Sequence, residues 1–590
     1  MRQAGWSGSG QGRARGLRLL ATSDLHMNLT GFDYAADRNA PSGGLARLAP
    51  LIARRRAEAR DAGAAVLLLD NGDGLQGGLM DEAALAREGA HLLMRAFARL
   101  GYDAIGLGNH DFDFGLETLL RVVRDAPCPV ICTNLRWLDR PAPEAIRPWA
   151  VLDRGGWRIG LLSFLPPQTA IWNAAHLAGR ASVEDIETAA RAALPALRQG
   201  GVDRVVVLAH SGLGRTVAEP GAENAALALA AVPGVDAVIA GHSHAAEARA
   251  DPGVAPLVLP GAHGSALGRI DLDEAGGRAT LDRPSPEARP DPGLIQDLAP
   301  DHAATRAFWD RPAGHSTVPL HSYLSFCAPD RGLALVACAQ AAALRPHLVG
   351  TPAEGLAVLS ATAPGRFGAR AGPLAYTDIP AGPLRLRHLA DLYAFPNALS
   401  ALIVTGAQLR DWLEKSAALF AQVPPGARAA PLLNPEVPGH DFDVLHGLSY
   451  RIDLSSPPRF APEGSAIGGP GRIRDLRLDG APLDPGRRVV VAVNSYRASG
   501  GGNFPHLSDA PRLALPEIRL RDALRAYLTG DLPRDPLEKA PPPWDFAPLA
   551  ACVVMPTGPG ARAHLAGLGA RLRQVEGPDA EGFLHLHLSL

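Results

Sequence analysis

Short apolar runs and helical stripes take turns through the first half of the chain. Leu17–Thr22, Ala65–Leu69, Ala104–Leu107, Pro129–Thr133, Trp157–Phe164, Arg204–Ala209 and Val235–Ile239 are apolar almost throughout. They lack the strict in-and-out alternation of a half-exposed strand, so they predict strands buried on both faces. Between them, apolar residues recur at helical spacing over Gly44–Gly63 (Leu45, Leu48, Leu51 and Ile52), Asp81–Leu100, Gly115–Asp125, Val183–Arg198 and Glu223–Val232. Strands alternating with helices predict an α/β sheet with helices on its faces. The pattern loosens after Asp271 through the Pro-rich stretch Arg283–Pro300, and His302–Trp309 reads as a short linking helix. New material begins at the helix Ala334–Leu344. Short strands (Ala401–Val404, Val489–Val493) and helices such as Gly406–Leu419 predict an α+β second domain. A chain of 590 residues is too long for one core, and two domains are the expectation.

Composition narrows the partners. A formal net charge of -2 gives no electrostatic case for a nucleic-acid polymer or a membrane surface. Lysine occurs only at Lys415 and Lys539, so nearly all positive charge is arginine. Five cysteines cannot all pair. Cys128 and Cys132 flank a strand-like segment spanning about 13 Å, beyond the roughly 7 Å a disulfide allows. Met1 to Gly16 is rich in Gly, Ser and Arg, and Leu17–Ala21 is too short for a secretory core, so a cytoplasmic chain is expected as written. No run is long enough to span a bilayer.

The chemistry sits where the strands end. The first strand ends at Asp24-Leu25-His26, the second at Gly72-Asp73, the third at Gly108-Asn109-His110-Asp111-Phe112-Asp113. Two later strands end at His210 and at Gly241-His242-Ser243-His244. Open α/β sheets place their chemistry at such carboxyl ends. On an extended segment, residues two apart such as Asp24 and His26, or His242 and His244, point to one side. His91, His176, His263, His302 and His315 lack this setting and read as structural or surface residues. Carboxylates, imidazoles and one amide oxygen, without thiolates, exclude a closed structural zinc site and suit catalytic Mn, Zn, Fe, Co or Mg. The donors suffice for two divalent ions sharing Asp73, which would attract a phosphate and activate water for in-line attack. His110 is then free to act as general acid, with Asp113 fixing its tautomer. Phosphoester hydrolysis is the reaction that fits.

These motifs, complete and in order, resemble the calcineurin-like metallophosphoesterases. The resemblance implies a four-layer αββα domain. It implies one metal site of Asp24, His26, Asp73 and His244 and a second of Asp73, Asn109, His210 and His242. It also implies His110 and Asp113 as the catalytic dyad. In the second half, Asp391-Leu392-Tyr393-Ala394-Phe395-Pro396-Asn397 and Asn494-Ser495-Tyr496-Arg497-Ala498-Ser499-Gly500-Gly501-Gly502 resemble the substrate-binding motifs of the 5'-nucleotidase superfamily's C-terminal domain. That likeness implies Phe395 and Tyr496 as rings sandwiching a nucleobase, with Asn397 and Arg370 as polar contacts. The implied domains are 17–295 and 321–590, with 296–320 as hinge.

Five stretches are similar to the branch of bifunctional 2',3'-cyclic-nucleotide 2'-phosphodiesterase/3'-nucleotidases: Asp24 to Tyr34, Pro166-Pro167-Gln168 with Trp172, Asp391 to Asn397, Asp441 to Val444, and Asn494 to Gly501. Asn173 stands where that branch carries an acid, and its members are typically periplasmic. The implied activity opens a 2',3'-cyclic nucleotide to the 3'-nucleotide and hydrolyses that to nucleoside and phosphate, in a monomer. A 5'-nucleotidase or nucleotide-sugar hydrolase on the same scaffold, and a nucleotide-binding sensor without chemistry, are the alternatives.

Overall fold

The computed structural model describes residues 14, 16–40, 42–85, 89–274, 276–285, 287–395 and 397–590. Most of Met1 to Gly16 lies outside them. The chain divides into two compact units, Met1–Phe308 and Trp309–Leu590.

In the first unit the strands Leu17–Thr22, Ala65–Asp70, Ala104–Gly106, Val130–Ile131 and Ile146–Arg147 lie parallel and adjacent. Leu267–Leu272 pairs antiparallel with the first strand, and Gly277–Asp282 extends that edge to make seven strands. A second, six-stranded sheet has at its centre Trp157–Phe164, Arg204–Ala209, Ala237–Ala240 and Leu257–Pro260, all parallel. Alternate residues explain the packing. Leu17, Leu19, Leu67 and Leu69 meet Ile159, Leu161, Val206 and Leu208 between the two sheets. Leu20 and Leu68 face outward and are covered by Leu45, Leu48 and Phe97 from helices. Leu162, Val205 and Val207 are covered by Ile186, Ala190 and Leu194 on the other side. The layers are therefore helix, sheet, sheet, helix, as expected of this sequence, and each strand is apolar because both its faces are buried.

Three expectations are corrected in detail. Asp81–Leu100 is not one helix but two, Asp81–Leu85 and Leu92–Leu100, the second capped by the His91 ring accepting from the Leu93 N–H. The helix expected over Glu223–Val232 is Ala226–Ala230, which leaves Glu223 in the loop before it. The linking helix is longer than His302–Trp309 and runs from Pro292 to Trp309, through Pro300.

The second unit is α+β. Its main sheet has eight strands, with Leu399–Thr405, Arg488–Asn494 and Ala357–Thr362 adjacent at one side. The helix Arg331–Leu344 is buried over nearly its whole length, as expected of a helix apolar all round. Trp412, Phe420, Phe442, Trp544 and Phe546 fill the core. The last strands, Cys552–Thr557, Leu572–Glu576 and Leu584–Ser589, join Ala430–Pro431 in a separate four-stranded sheet. All five cysteines are free thiols. Among the described residues no helix is long and apolar enough to cross a membrane.

Candidate metal centre

The carboxyl ends of the parallel strands of both sheets deliver the donors. Asp24 and His26 follow the first strand, Asp73 the second and Asn109 the third, while His210 and His242–His244 follow strands of the other sheet. The structure gathers Asp24, His26 and His244 into one group and Asp73, His210 and His242 into another, with donor atoms within 4.8 Å of one another in each. Asp73 lies between them. Its Oδ2 is 3.0 Å from His210 Nε2 and 4.0 Å from His26 Nε2, while Oδ1 accepts from the His110 N–H at 2.7 Å. Asp24 Oδ1 is 3.5 Å from His244 Nε2 and 3.9 Å from His210 Nε2.

The donors do not converge by strand alternation. Asp24, His26, Asp73, His242 and His244 all have φ between 46° and 65°, so the residues two apart sit in left-handed turns, not on extended backbone. Such a conformation costs non-glycine residues about 1–3 kcal/mol each, and it persists where the surroundings over-determine it. Here they do. The Asp24, His26 and Met27 N–H groups donate to the carbonyls of Gly72, Asp73 and Gly74, lacing the first two strand ends together. Asp111 accepts from the N–H groups of Asp73, Gly74, Leu75 and Gly108 at 2.9–3.0 Å. At Gly108 a Cβ would overlap the Asp73 carboxylate, and at Gly241 it would overlap Ser23 and crowd Asp24, so glycine is required at both close approaches.

The tautomers test whether cations fit. His26 Nδ1 donates to the Gln76 carbonyl at 2.6 Å, and His210 Nδ1 donates to the Asn71 carbonyl at 2.8 Å. A neutral imidazole has one N–H, so each Nε2 presents a lone pair. The His26 lone pair faces His244 Nε2 at 3.1 Å. That of His210, whose Nε2 is buried without a hydrogen bond, faces the Asp73 carboxylate. Lone pairs aimed at lone pairs repel unless a positive charge sits between them. Burial lowers the pKa of His26 well below its usual value. For His210 burial is outweighed by Asp73 and Asp24, which push it up to about 9, so at neutral pH either a proton on Nε2 or a cation in its place must balance the carboxylates; with a cation there, Nε2 presents its lone pair. The donor set suits divalent cations.

His110 stands beside the two groups, its ring centroid 5.5 Å from that of His26. Its Nδ1 donates to Asp113 Oδ2 at 2.8 Å, leaving Nε2 as the other proton site. Burial opposes charge on His110, but the Asp113 and Asp73 carboxylates raise its pKa to about 10.

Sequence reasoning missed three neighbours. His263, read as structural, has its ring 5.5 Å from His26 and 5.7 Å from His244, and its N–H donates to the Asp24 carbonyl. Asp111 was visible inside its motif, but its four backbone partners were not. Glu223 lies 2.8 Å from His242 Nε2. Trp172 stacks on the His242 ring, and Asn173 donates to the Asn109 carbonyl at 3.1 Å.

In the second unit Phe395 is 45% exposed, which leaves a ring face open to a ligand, and Tyr496 is the second residue of the short helix Ser495–Ala498. Their loops leave adjacent antiparallel strands paired Leu399 to Asn494, so the two stretches share one end of the sheet. The Ser495 N–H donates to the Ala398 carbonyl, and Asn397 donates to the Tyr393 hydroxyl at 3.2 Å. Arg497, beside Tyr496, is buried between Asp441 and Asp443 at 3.2 and 2.9 Å, which anchors the second loop. Arg370 lies in the short turn Ala369–Ala371, and its side chain is outside the described residues.

Comparison with known proteins agrees with this geometry. The calcineurin-like phosphoesterase model matches residues 17–246, and the 5'-nucleotidase C-terminal domain model matches residues 314–509. The 2',3'-cyclic-nucleotide 2'-phosphodiesterase/3'-nucleotidase of Salmonella typhimurium is 33% identical over 598 residues, covering 93% of this chain and 92% of that protein. The trifunctional nucleotide phosphoesterase YfkN of Bacillus subtilis is 32% identical over 90% of this chain, which spans only 39% of that protein. The crystal structure of the 5'-nucleotidase precursor of Thermus thermophilus shares the fold with a TM-score of 0.63 at 21% identity, over 90% of this chain and 99% of its own. With both domains matched in tandem and a relative aligned over most of both lengths, the chain belongs to the family of the 2',3'-cyclic-nucleotide 2'-phosphodiesterase/3'-nucleotidases, calcineurin-like phosphoesterases with a 5'-nucleotidase C-terminal domain.

Proposed function

We propose that this chain opens 2',3'-cyclic nucleotides to 3'-nucleotides and then hydrolyses these to nucleoside and phosphate. The observation that carries the reading is the convergence of imidazole lone pairs and carboxylates beside the His110–Asp113 pair. Asp24, His26, Asp73 and His244 would hold one divalent ion, and Asp73, Asn109, His210 and His242 a second. Mixed nitrogen and oxygen donors suit Mn, Fe, Co or Zn, with Mg the least favoured by so many imidazoles. When bound, such a pair supplies an activated water and neutralises charge on the phosphoryl group.

The chain's own residues do the rest. Asp113 holds the Nδ1 proton of His110, so Nε2 is the atom that hands a proton to the departing oxygen. In the first step water adds to phosphorus and the P–O2' bond breaks. In the second another water adds and the P–O3' bond breaks. Each leaving oxygen takes one proton, so one site serves both steps. Phe395 and Tyr496 stack on the base, Asn397 and Arg370 add polar contacts, and residues 296–320 act as the hinge between the units.

The test is phosphate release from 2',3'-cyclic AMP, 3'-AMP and 5'-AMP, with manganese and with EDTA. Metal-dependent release from the first two, with little from 5'-AMP, is expected. Preference for 5'-AMP would overturn the 3'-nucleotide assignment, and tight binding without release would make the chain a sensor.

A further inference from the structure

We propose that Glu223 is a positioning residue for His242, accepting a hydrogen bond from its Nε2–H so that the Nδ1 lone pair is turned onto the metal centre. This rests on the dimetal reading above. The His242 ring is bracketed by two oxygens: Asn109 Oδ1 lies 2.9 Å from Nδ1 and Glu223 Oε1 lies 2.8 Å from Nε2. A neutral imidazole has one N–H and can satisfy only one of them. The ionised carboxylate is the stronger acceptor, so the proton belongs on Nε2. The same tautomer follows if the Asn109 amide is turned to present its nitrogen, because a donor there also calls for a lone pair on Nδ1. His26 and His210 have their tautomers set by backbone carbonyls, of Gln76 and Asn71. His242 has its second nitrogen on a side chain instead, and that side chain is Glu223.

The loop holding Glu223 is built to deliver it. Ser211 Oγ donates to the Glu223 carbonyl at 2.7 Å and accepts from the Ala225 N–H at 2.8 Å. Asn224 Oδ1 accepts from the Gly212 N–H at 3.0 Å. Ser211 and Gly212 directly follow His210, so the segment that supplies one imidazole also clamps the residue that orients the next. Trp172 stacks on the His242 ring at 5.5 Å and 21°, and the His242 N–H donates to Asp24 Oδ1 at 3.1 Å. Ring plane, backbone and tautomer of His242 are thus each fixed by a different partner. The Glu223 side chain is 41% exposed, so its removal leaves no buried void.

The experiment measures manganese stoichiometry and affinity by calorimetry on the full chain and on Glu223→Ala and Glu223→Gln, with thermal midpoints in EDTA. Outer-sphere partners of metal-bound histidine are worth about 10–100-fold in affinity. Glu223→Ala is expected to weaken one of the two ions by about that factor and leave the other unchanged. Glu223→Gln, whose amide oxygen still accepts from Nε2, should lose less, and all three midpoints in EDTA should agree. Two ions bound to Glu223→Ala with unchanged affinity would overturn the inference. So would equal losses in both variants accompanied by a lowered midpoint in EDTA. Fewer than two ions on the unsubstituted chain would instead overturn the dimetal reading.

Discussion

Replacing Asp111 by asparagine keeps the shape of the side chain and halves its capacity to accept. The carboxylate takes four backbone N–H groups, two on each oxygen: Gly108 and Asp73 on Oδ2, Gly74 and Leu75 on Oδ1. Burial and the neighbouring Asp73 carboxylate push its pKa up to about 6 while the Gly108 and Leu75 N–H groups oppose that shift, so at pH 7 it is the anion its partners require. In Asp111→Asn one oxygen becomes an NH2 group, and two N–H donors then face a donor. A hydrogen bond to a charged group contributes about 1.5–3 kcal/mol. Losing two, with the donors left buried, gives an expected destabilisation of about 3–6 kcal/mol. The loss falls on the two turns that carry Asp73 and Asn109, so metal content should drop with stability. Urea unfolding in EDTA measures the first, and elemental analysis of the purified protein the second. A stability within about 0.5 kcal/mol of the parent, the range of an ordinary surface substitution, would refute the reasoning.

Two further outcomes are expected. His446 is buried, bonded at Nε2 to Thr362 Oγ1 at 3.0 Å, and burial lowers its pKa from 6.5 to about 4. Between those values the unfolded chain holds a proton that the folded chain does not, so stability falls as pH falls through the window, by about 1.4 kcal/mol per pH unit for this one group. Urea unfolding at pH 5 and pH 7 should show a smaller loss in His446→Gln than in the parent; equal losses would remove His446 as a source. Phe395→Ala or Tyr496→Ala should cost about 1–3 kcal/mol of binding to nucleotides and spare bis(4-nitrophenyl) phosphate, which has no base to stack. Equal loss on both substrates, read from kcat/KM, would remove the stacking role.

Parallel strands buried on both faces write an unambiguous pattern. Leu17–Thr22, Trp157–Phe164 and Arg204–Ala209 therefore have the ends the apolar runs predict. The donors were legible for the same reason: each sits where an apolar run stops. What lay beyond the pattern was the shape of the turns. Nothing in Asp24-Leu25-His26 announces positive φ, because that is imposed by hydrogen bonds to residues 72–74. The break between Asp81–Leu85 and Leu92–Leu100 was hidden because Leu85 and Leu92 are seven apart, so the apolar stripe runs through it while Gly89 turns at φ 90°. His263 follows the strand Leu257–Pro260, where sequence reading placed no element. Glu223 looked like the first residue of a helix; it lies instead in a loop clamped by Ser211, and its carboxylate meets His242.

The order of the strands also bears on how the chain is made. Leu17–Thr22 needs Ala65–Asp70 on one edge and Leu267–Leu272 on the other. Its second edge therefore waits through roughly 250 residues of synthesis, and pairings this distant are slow to close. The donors are scattered just as widely, from Asp24 to His244, so no shorter nascent piece holds them all. Ion capture therefore waits for the last donor, His244, and until Leu267–Leu272 follows, an open apolar edge must be kept from other chains.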